Sequence, residues 1–166
     1  ERVALSAGRC GSECVEYSQP DVILSNCRMI HICEPKNFMD IAIADGVDVT
    51  AGGQGTAYAY ASSDDFSITL QIDVDEDYGQ KSAVSHELSH IFDFVCGSGY
   101  GDYGISDGAQ LQSLYQNYTE CVGTYGATDS AEFFAQAGAM YVNDPENLKS
   151  VCMDLYNFMD SLYHLY

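Results

Sequence analysis

The sequence predicts an α+β fold in a single domain, because short strand-like segments fill its first half and helical periodicity fills its second. The chain has 166 residues, which is the length of one ordinary domain. It contains no internal repeat, low-complexity tract or linker. Since the strands precede the helices and do not alternate with them, we expect one α+β domain over residues 1–166.

Four short runs rich in Ile, Val, Tyr or Phe predict strands in the first half. They are separated by turn residues and cover residues 22–24, 28–33, 56–62 and 66–74. The alternation Ala-Tyr-Ala-Tyr-Ala in the third run is typical of a strand with two unlike faces. We expect these runs to form a small twisted N-terminal sheet.

A helix is predicted over residues 81–95, where the spacing of the apolar residues changes. Val84, Leu88 and Ile91 fall on one helical face. The glycine-rich residues 97–104 then end this helix.

Two further helices are predicted near the C-terminus, so the second half is mostly helical. Asp129 or Ser130 can cap a helix that runs to about residue 142. Asp144 supplies a cap for the last helix and Pro145 a favourable first residue. Apolar residues recur on one face over residues 148–166, which indicates core packing.

The charge of the chain excludes several classes of partner. Six basic and 25 acidic side chains give a net charge of -19, which would repel phosphate backbones and anionic lipid surfaces. No apolar run approaches the roughly 18 residues needed to span a bilayer. We therefore expect a soluble monomer with neither nucleic acid nor membrane as a partner.

The cysteine content predicts secretion into an oxidising compartment. The spacings are irregular, and the closest pair is not followed by the second Cys or His pair that a structural zinc knuckle needs. We therefore expect three disulfides and one remaining thiol. The seven cysteines are Cys10, Cys14, Cys27, Cys33, Cys96, Cys121 and Cys152.

The pentad His-Glu-Leu-Ser-His within the first predicted helix indicates a metal site. His86 and His90 are four residues apart and so lie on the same helical face, where both imidazoles can reach one ion. Zinc binds neutral imidazole readily, and Glu87 is placed to accept a proton from water held at such an ion. The alternative is a pair of surface histidines, which the apolar neighbours on this helix disfavour.

A third protein ligand is needed for a catalytic zinc site. The metzincin spacing would require a glycine and a ligand where this chain has Asp93 and Cys96, so that pattern fails. His31 and His164 are isolated in the sequence. Glu132, in the first turn of the second helix, is the better candidate, although a glutamate there can equally serve only the helix dipole.

Two segments resemble the gluzincin zinc peptidases, in particular the catalytic domain of anthrax lethal factor and the Pro-Pro endopeptidases. They are His-Glu-Leu-Ser-His-Ile-Phe-Asp at 86–93 and Gly-Thr-Tyr-Gly-Ala-Thr-Asp-Ser-Ala-Glu-Phe-Phe-Ala at 123–135. The resemblance extends over residues 81–147. It implies a zincin-like fold in which a zinc-binding helix follows the sheet.

The resemblance also implies a role for each site residue. His86, His90 and Glu132 would bind Zn²⁺, Glu87 would be the general base, and Tyr125 would lie over the metal. Gln136 stands where these families often have a glutamate that orients a ligand histidine.

The implied activity is that of a secreted zinc-dependent endopeptidase. A protein or peptide substrate would lie extended in the active-site cleft, along an edge strand for which residues 56–62 are the candidate. One alternative is an aspzincin-like peptidase with Asp129 as third ligand. Another is a catalytically inactive zincin-fold protein that binds a partner through the same cleft.

Overall fold

The computed structural model describes residues 20–48, 57–72, 80–97 and 104–166 of the chain. Within these residues the chain is a small α+β domain with a three-stranded sheet and a mostly helical C-terminal half, as the sequence predicts.

The sheet contains strands β1 (Met29–Cys33), β2 (Ala59–Ser62) and β3 (Ser67–Gln71) in the order β1-β3-β2. β1 runs parallel to β3, and β2 runs antiparallel to it. All five residues of β3 are buried, as expected of a central strand. Among the described strands, β1 and β2 therefore form the two edges.

Eight α-helices are described, two before β2 and six after β3. They are α1 (Asp21–Asn26), α2 (Pro35–Ala44), α3 (Gln80–Cys96), α4 (Ala109–Tyr118), α5 (Gly123–Gly126), α6 (Ser130–Asn143), α7 (Pro145–Val151) and α8 (Met153–Leu165). A 3-10 helix, Thr119–Val122, connects α4 to α5. None of the described helices is long and apolar enough to cross a membrane.

Helix α3 is the centre of the fold, because it packs against β2, β3, α1 and α6. Phe92 of α3 and Phe134 of α6 are fully buried, with ring centroids 6.2 Å apart. The two helices lie close together at Gly138, where an added Cβ would lie 2.2 Å from Ser89 Oγ. Only glycine permits this approach, so the spacing of α3 and α6 depends on it.

Most of the predicted elements are confirmed, with shifted bounds. The run at 28–33 forms β1, and the runs at 56–62 and 66–74 contain β2 and β3. Residue 56 and residues 73–74 lie outside the described residues. The helices predicted at 81–95 and from Asp129 or Ser130 correspond to α3 and α6.

Two predicted elements are wrong. The run at 22–24 belongs to helix α1, where Pro20 precedes the first turn and Ile23 is fully buried. A run of three apolar residues is too short to separate a strand from one helical turn. The last helix is interrupted at Cys152, whose extended backbone (φ -155°, ψ 93°) divides it into α7 and α8.

The expected three disulfides are also wrong for this structure. The five described cysteines, at positions 27, 33, 96, 121 and 152, are all free thiols. Three bridges would require at least four of these five. Cys10 and Cys14 lie outside the described residues. Cys27 and Cys152 are buried, so they pack as small apolar side chains.

Candidate active site

Helix α3 brings His86 and His90 together on the face that it turns toward α6. One helical turn separates them, and their ring centroids are 4.9 Å apart in an edge-to-face arrangement. Both side chains are buried, with 7% and 8% of their surface exposed. Such burial of two imidazoles argues against the alternative of a surface histidine pair.

Glu132 reaches this histidine pair from the first turn of α6. Its Oε2 lies 3.0 Å from His86 Nε2 and 3.6 Å from His90 Nε2. Asp129 caps α6 by accepting a hydrogen bond from the Glu132 backbone N–H at 2.9 Å, which fixes where the helix begins. The start of α6 therefore places the carboxylate at the two imidazoles.

The three side chains fit a zinc ion. One potential ligand atom from each of His86, His90 and Glu132 lies within 4.8 Å of the other two. Tetrahedral coordination with bond lengths of about 2.0–2.2 Å separates neighbouring ligand atoms by about 3.3–3.6 Å. The observed separations of 3.0 and 3.6 Å lie close to this range. Two nitrogens and one carboxylate oxygen are also a donor set that zinc takes readily.

The electrostatics of Glu132 favour the same role. Burial raises the pKa of its carboxyl group, but hydrogen bonds from His86 and His90 outweigh burial and hold the pKa well below its usual range. The carboxylate is thus ionised at neutral pH, which is the form that binds a metal ion.

Glu87 lies beside the cluster and is not one of the three grouped side chains. Burial raises the pKa of Glu87 to about 7, the charge of His86 opposes this rise, and the charge of Glu132 adds to it. Only 7% of the residue is exposed. A carboxyl group in this position can both accept and release a proton near neutral pH.

Tyr125, from the short helix α5, lies beside the cluster. Its ring centroid is 5.8 Å from that of His86. Burial and the nearby charges of Glu132 and Glu87 raise the pKa of the phenol, so it stays protonated and can donate a hydrogen bond at neutral pH.

The other candidate ligands do not join the cluster. Asp129 is occupied as the cap of α6, and Glu132, not Asp129, lies at the histidines. His31 lies on β1, opposite Thr69 of β3. His164 is exposed near the end of α8, where its Nδ1 is 2.8 Å from the carbonyl oxygen of Asp160.

Gln136 lies one turn beyond Glu132 on α6, but the predicted hydrogen bond to a ligand histidine is not present in the described structure. Its Cβ instead packs behind α5, where a Cβ added to Gly126 would lie 3.0 Å from it. Gln136 therefore supports the helix that carries Tyr125.

A hydrogen-bonded connection between the two helices that carry the cluster was not predicted. Asp93 of α3 is fully buried, and its Oδ1 accepts hydrogen bonds from the backbone N–H groups of Ile105 and Ser106 at 2.6 and 2.9 Å. Gln112 of α4 donates to the Ser106 carbonyl oxygen at 2.7 Å and to Ser130 Oγ at 2.9 Å. Through Gln112, α3 is connected to the first residue of α6. The signal in the sequence is the place of Asp93 between Phe92 and Phe94, since a carboxylate among apolar residues needs hydrogen-bond donors.

Comparison with known families agrees with this geometry. Residues 67–164 match the family described as glucose-regulated metallo-peptidase M90. The chain belongs to this family. The match covers more than half of the chain and extends from the start of β3 into α8, so it includes the whole His86, His90 and Glu132 cluster.

Membership of the M90 family makes the chain a metallopeptidase. The clustered His86, His90 and Glu132 provide a place for the metal that such an enzyme requires. No curated protein matches the sequence significantly.

Proposed function

We propose that this M90 metallopeptidase is a secreted zinc endopeptidase of the gluzincin type, similar in its site to the anthrax lethal factor catalytic domain and the Pro-Pro endopeptidases. The observation that supports this most is the approach of Glu132 to two histidines of one helix, at 3.0 and 3.6 Å. In this proposal His86, His90 and Glu132 hold the ion, and Glu87 and Tyr125 act on the substrate and water.

A bound zinc ion would supply a Lewis acid that activates water and polarises the scissile carbonyl group. Glu87 accepts the proton of the attacking water and passes it to the leaving amine, a task that suits a carboxyl group with a pKa of about 7. Tyr125 donates a hydrogen bond to the oxygen on which negative charge develops. Its half-exposed position, with 48% of the residue accessible, lets it reach a substrate in the open cleft.

The substrate is proposed to bind as an extended peptide or protein segment. β2 is an edge of the described sheet and packs against α3, the helix of the histidines. An edge strand offers unpaired backbone groups to a peptide that adds to the sheet. This supports residues 56–62 as the substrate strand, with residue 56 outside the described part.

An inactive partner-binding protein is the alternative from another functional class. A protein that only binds a partner does not need a carboxyl group or a phenol beside the metal ligands. The buried Glu87 and the placement of Tyr125 both favour the enzyme.

Digestion of a peptide library by the purified chain, with and without a chelator, tests the activity and reports the cleaved sequences. We expect cleavage within peptides, abolished by the chelator and restored by about one equivalent of zinc. Elemental analysis that finds no transition metal in an active preparation would contradict the assignment.

The variant Glu87→Ala separates catalysis from metal binding. We expect it to retain zinc and lose cleavage, because Glu87 acts on water and is not a ligand. Glu120→Ala is a matched control, since it removes an exposed carboxylate that is not part of the cluster. An active Glu87→Ala enzyme would exclude Glu87 as the base.

Secretion is proposed from the number and irregular spacing of the seven cysteines alone, since the five described ones are free thiols. Mass spectrometry of the culture medium and of the cells of the source organism tests it. Recovery of the chain from cells alone would contradict it.

A further inference from the structure

Cys121 and Cys152 come together although 31 positions separate them in the sequence. Cys121 lies in the 3-10 helix before α5, and its Sγ donates to the carbonyl oxygen of Val151 at 3.4 Å. Cys152 is the next residue, and its Sγ accepts the backbone N–H of Leu155 at 3.4 Å. Besides burial, the neighbouring thiol of Cys152 also raises the pKa of Cys121.

The other described thiols have different neighbours. Cys27 Sγ donates to the Met29 carbonyl oxygen at 3.8 Å, and Cys96 has the Tyr166 side chain as a neighbour. Cys33 lies on the edge strand β1. Within the described part of the chain, Cys121 and Cys152 are the two cysteines that neighbour each other.

We propose that Cys121 and Cys152 are a dithiol site that a small-molecule disulfide oxidises to an intrachain disulfide. Cys121 is partly exposed and can be reached from solvent, whereas Cys152 is 5% exposed and can be reached from Cys121. Cys121 would therefore react first with the small disulfide, and Cys152 would then react with Cys121.

The exchange proceeds in two balanced steps. The Cys121 thiolate attacks one sulfur of the small disulfide, forms a mixed disulfide and releases one small thiolate. The Cys152 thiolate then attacks the Cys121 sulfur and releases the second small thiolate. The protein loses two protons and two electrons, and the small disulfide is reduced to two thiols.

Oxidation of the pair is expected to be slow at neutral pH. Burial and the neighbouring Cys152 raise the pKa of Cys121 to about 11, so the reactive thiolate is scarce. The bond would therefore form slowly, and would persist where the surroundings remain oxidising.

The proposed bond would close a loop that contains two of the five candidate site residues. The segment between the two cysteines contains α5 with Tyr125 and α6 with Glu132. Closing a loop of this length restricts the unfolded chain, and we expect the melting temperature to rise by roughly 5–15 °C on oxidation.

The test is to incubate the full chain with oxidised glutathione, alkylate the remaining thiols, digest, and identify linked peptides by mass spectrometry. We expect a peptide that joins Cys121 to Cys152, and a melting temperature that falls again after reduction. Cys121→Ser and Cys152→Ser should each abolish the linked peptide and the shift. Serine retains a capping oxygen at position 152, so that variant should still fold.

Cys96→Ser is the matched control, because it removes another partly exposed thiol and should leave both readouts unchanged. Linkage of Cys121 or Cys152 to any other cysteine, including Cys10 or Cys14, would overturn the proposal. So would a stable glutathione adduct on Cys121 with Cys152 still free. None of these outcomes depends on peptidase activity, so the disulfide can fail without the proposed function failing.

Discussion

The substitution Gly138→Ala tests how closely α3 and α6 must pack. The added Cβ would lie 2.2 Å from Ser89 Oγ, 2.9 Å from Tyr163 Oη and 3.0 Å from Ser89 Cβ. Rotation of the Ser89 hydroxyl group would break its 2.8 Å hydrogen bond to the Ser85 carbonyl oxygen and would leave the Cβ contact in place. The helices must therefore move apart, by about 1 Å for an ordinary van der Waals contact.

The expected cost follows from two opposing effects. Overpacking of a core costs about 1–3 kcal/mol of unfolding free energy. Alanine is better than glycine inside a helix by about 0.5–1 kcal/mol, which offsets part of this cost. We expect a net loss of about 1–2 kcal/mol, which corresponds to a fall in melting temperature of roughly 2–8 °C for a chain of this size.

Thermal unfolding of the metal-free protein measures the loss, and competition with a zinc chelator measures the affinity for metal. We expect affinity to fall by about tenfold, because moving α6 also moves Glu132 away from the histidines. Ser89→Ala is the control. In the double variant Gly138→Ala/Ser89→Ala the 2.2 Å contact is absent. The double variant should therefore lose less unfolding free energy than the sum of the losses of the two single variants. Wild-type stability in Gly138→Ala, or strict additivity, would refute the close contact.

Three further predictions concern the site itself. Asp129→Ala should lower the unfolding free energy by about 1 kcal/mol, as measured by chemical denaturation, because it removes the α6 cap. Elemental analysis should show that the variant retains the metal. Loss of metal from a folded variant would favour the aspzincin alternative. Gln112→Met, which removes both donated hydrogen bonds at similar side-chain length, should weaken metal affinity by several-fold in chelator competition. Gln116→Met, at an exposed position of the same helix, should leave affinity unchanged, and equal values for the two variants would exclude a positioning role. Tyr125→Phe should retain metal and lower kcat by a factor on the order of 10²–10³ with little change in KM, and near-normal kcat in steady-state kinetics would exclude it as the oxyanion donor.

The elements with strong local patterns could be predicted from the sequence. α3 has apolar residues at helical spacing, and α6 has an explicit cap at Asp129, so both were found close to their observed bounds. The histidine pair follows from helical geometry alone, because residues four apart share a face. Glu132 remained undecided on helical logic, since only tertiary packing determines which helix faces the histidines.

The missed elements lack such patterns or depend on distant contacts. α4 begins at Ala109 without a side-chain cap, and one of its residues, Leu111, is fully buried. The hydrogen bonds of Gln112 in α4 depend on the Ser106 carbonyl oxygen and the Ser130 hydroxyl group, which both lie outside this helix. The break at Cys152 lies within a continuous apolar stripe, so hydrophobic periodicity could not reveal it.

The contact between Gly138 and Ser89 is also a pivot point about which α6 can tilt relative to the metal site. Glu132 is six residues from Gly138, which corresponds to a distance of about 9 Å along the axis of α6. Tilting α6 by about 5° around this point would move the Glu132 backbone by about 0.8 Å. That is larger than the difference between its distances to His86 and His90, 3.0 and 3.6 Å. A small tilt of α6 would therefore be enough to change which histidine the Glu132 carboxylate is closer to, while the core residues around Gly138 move very little.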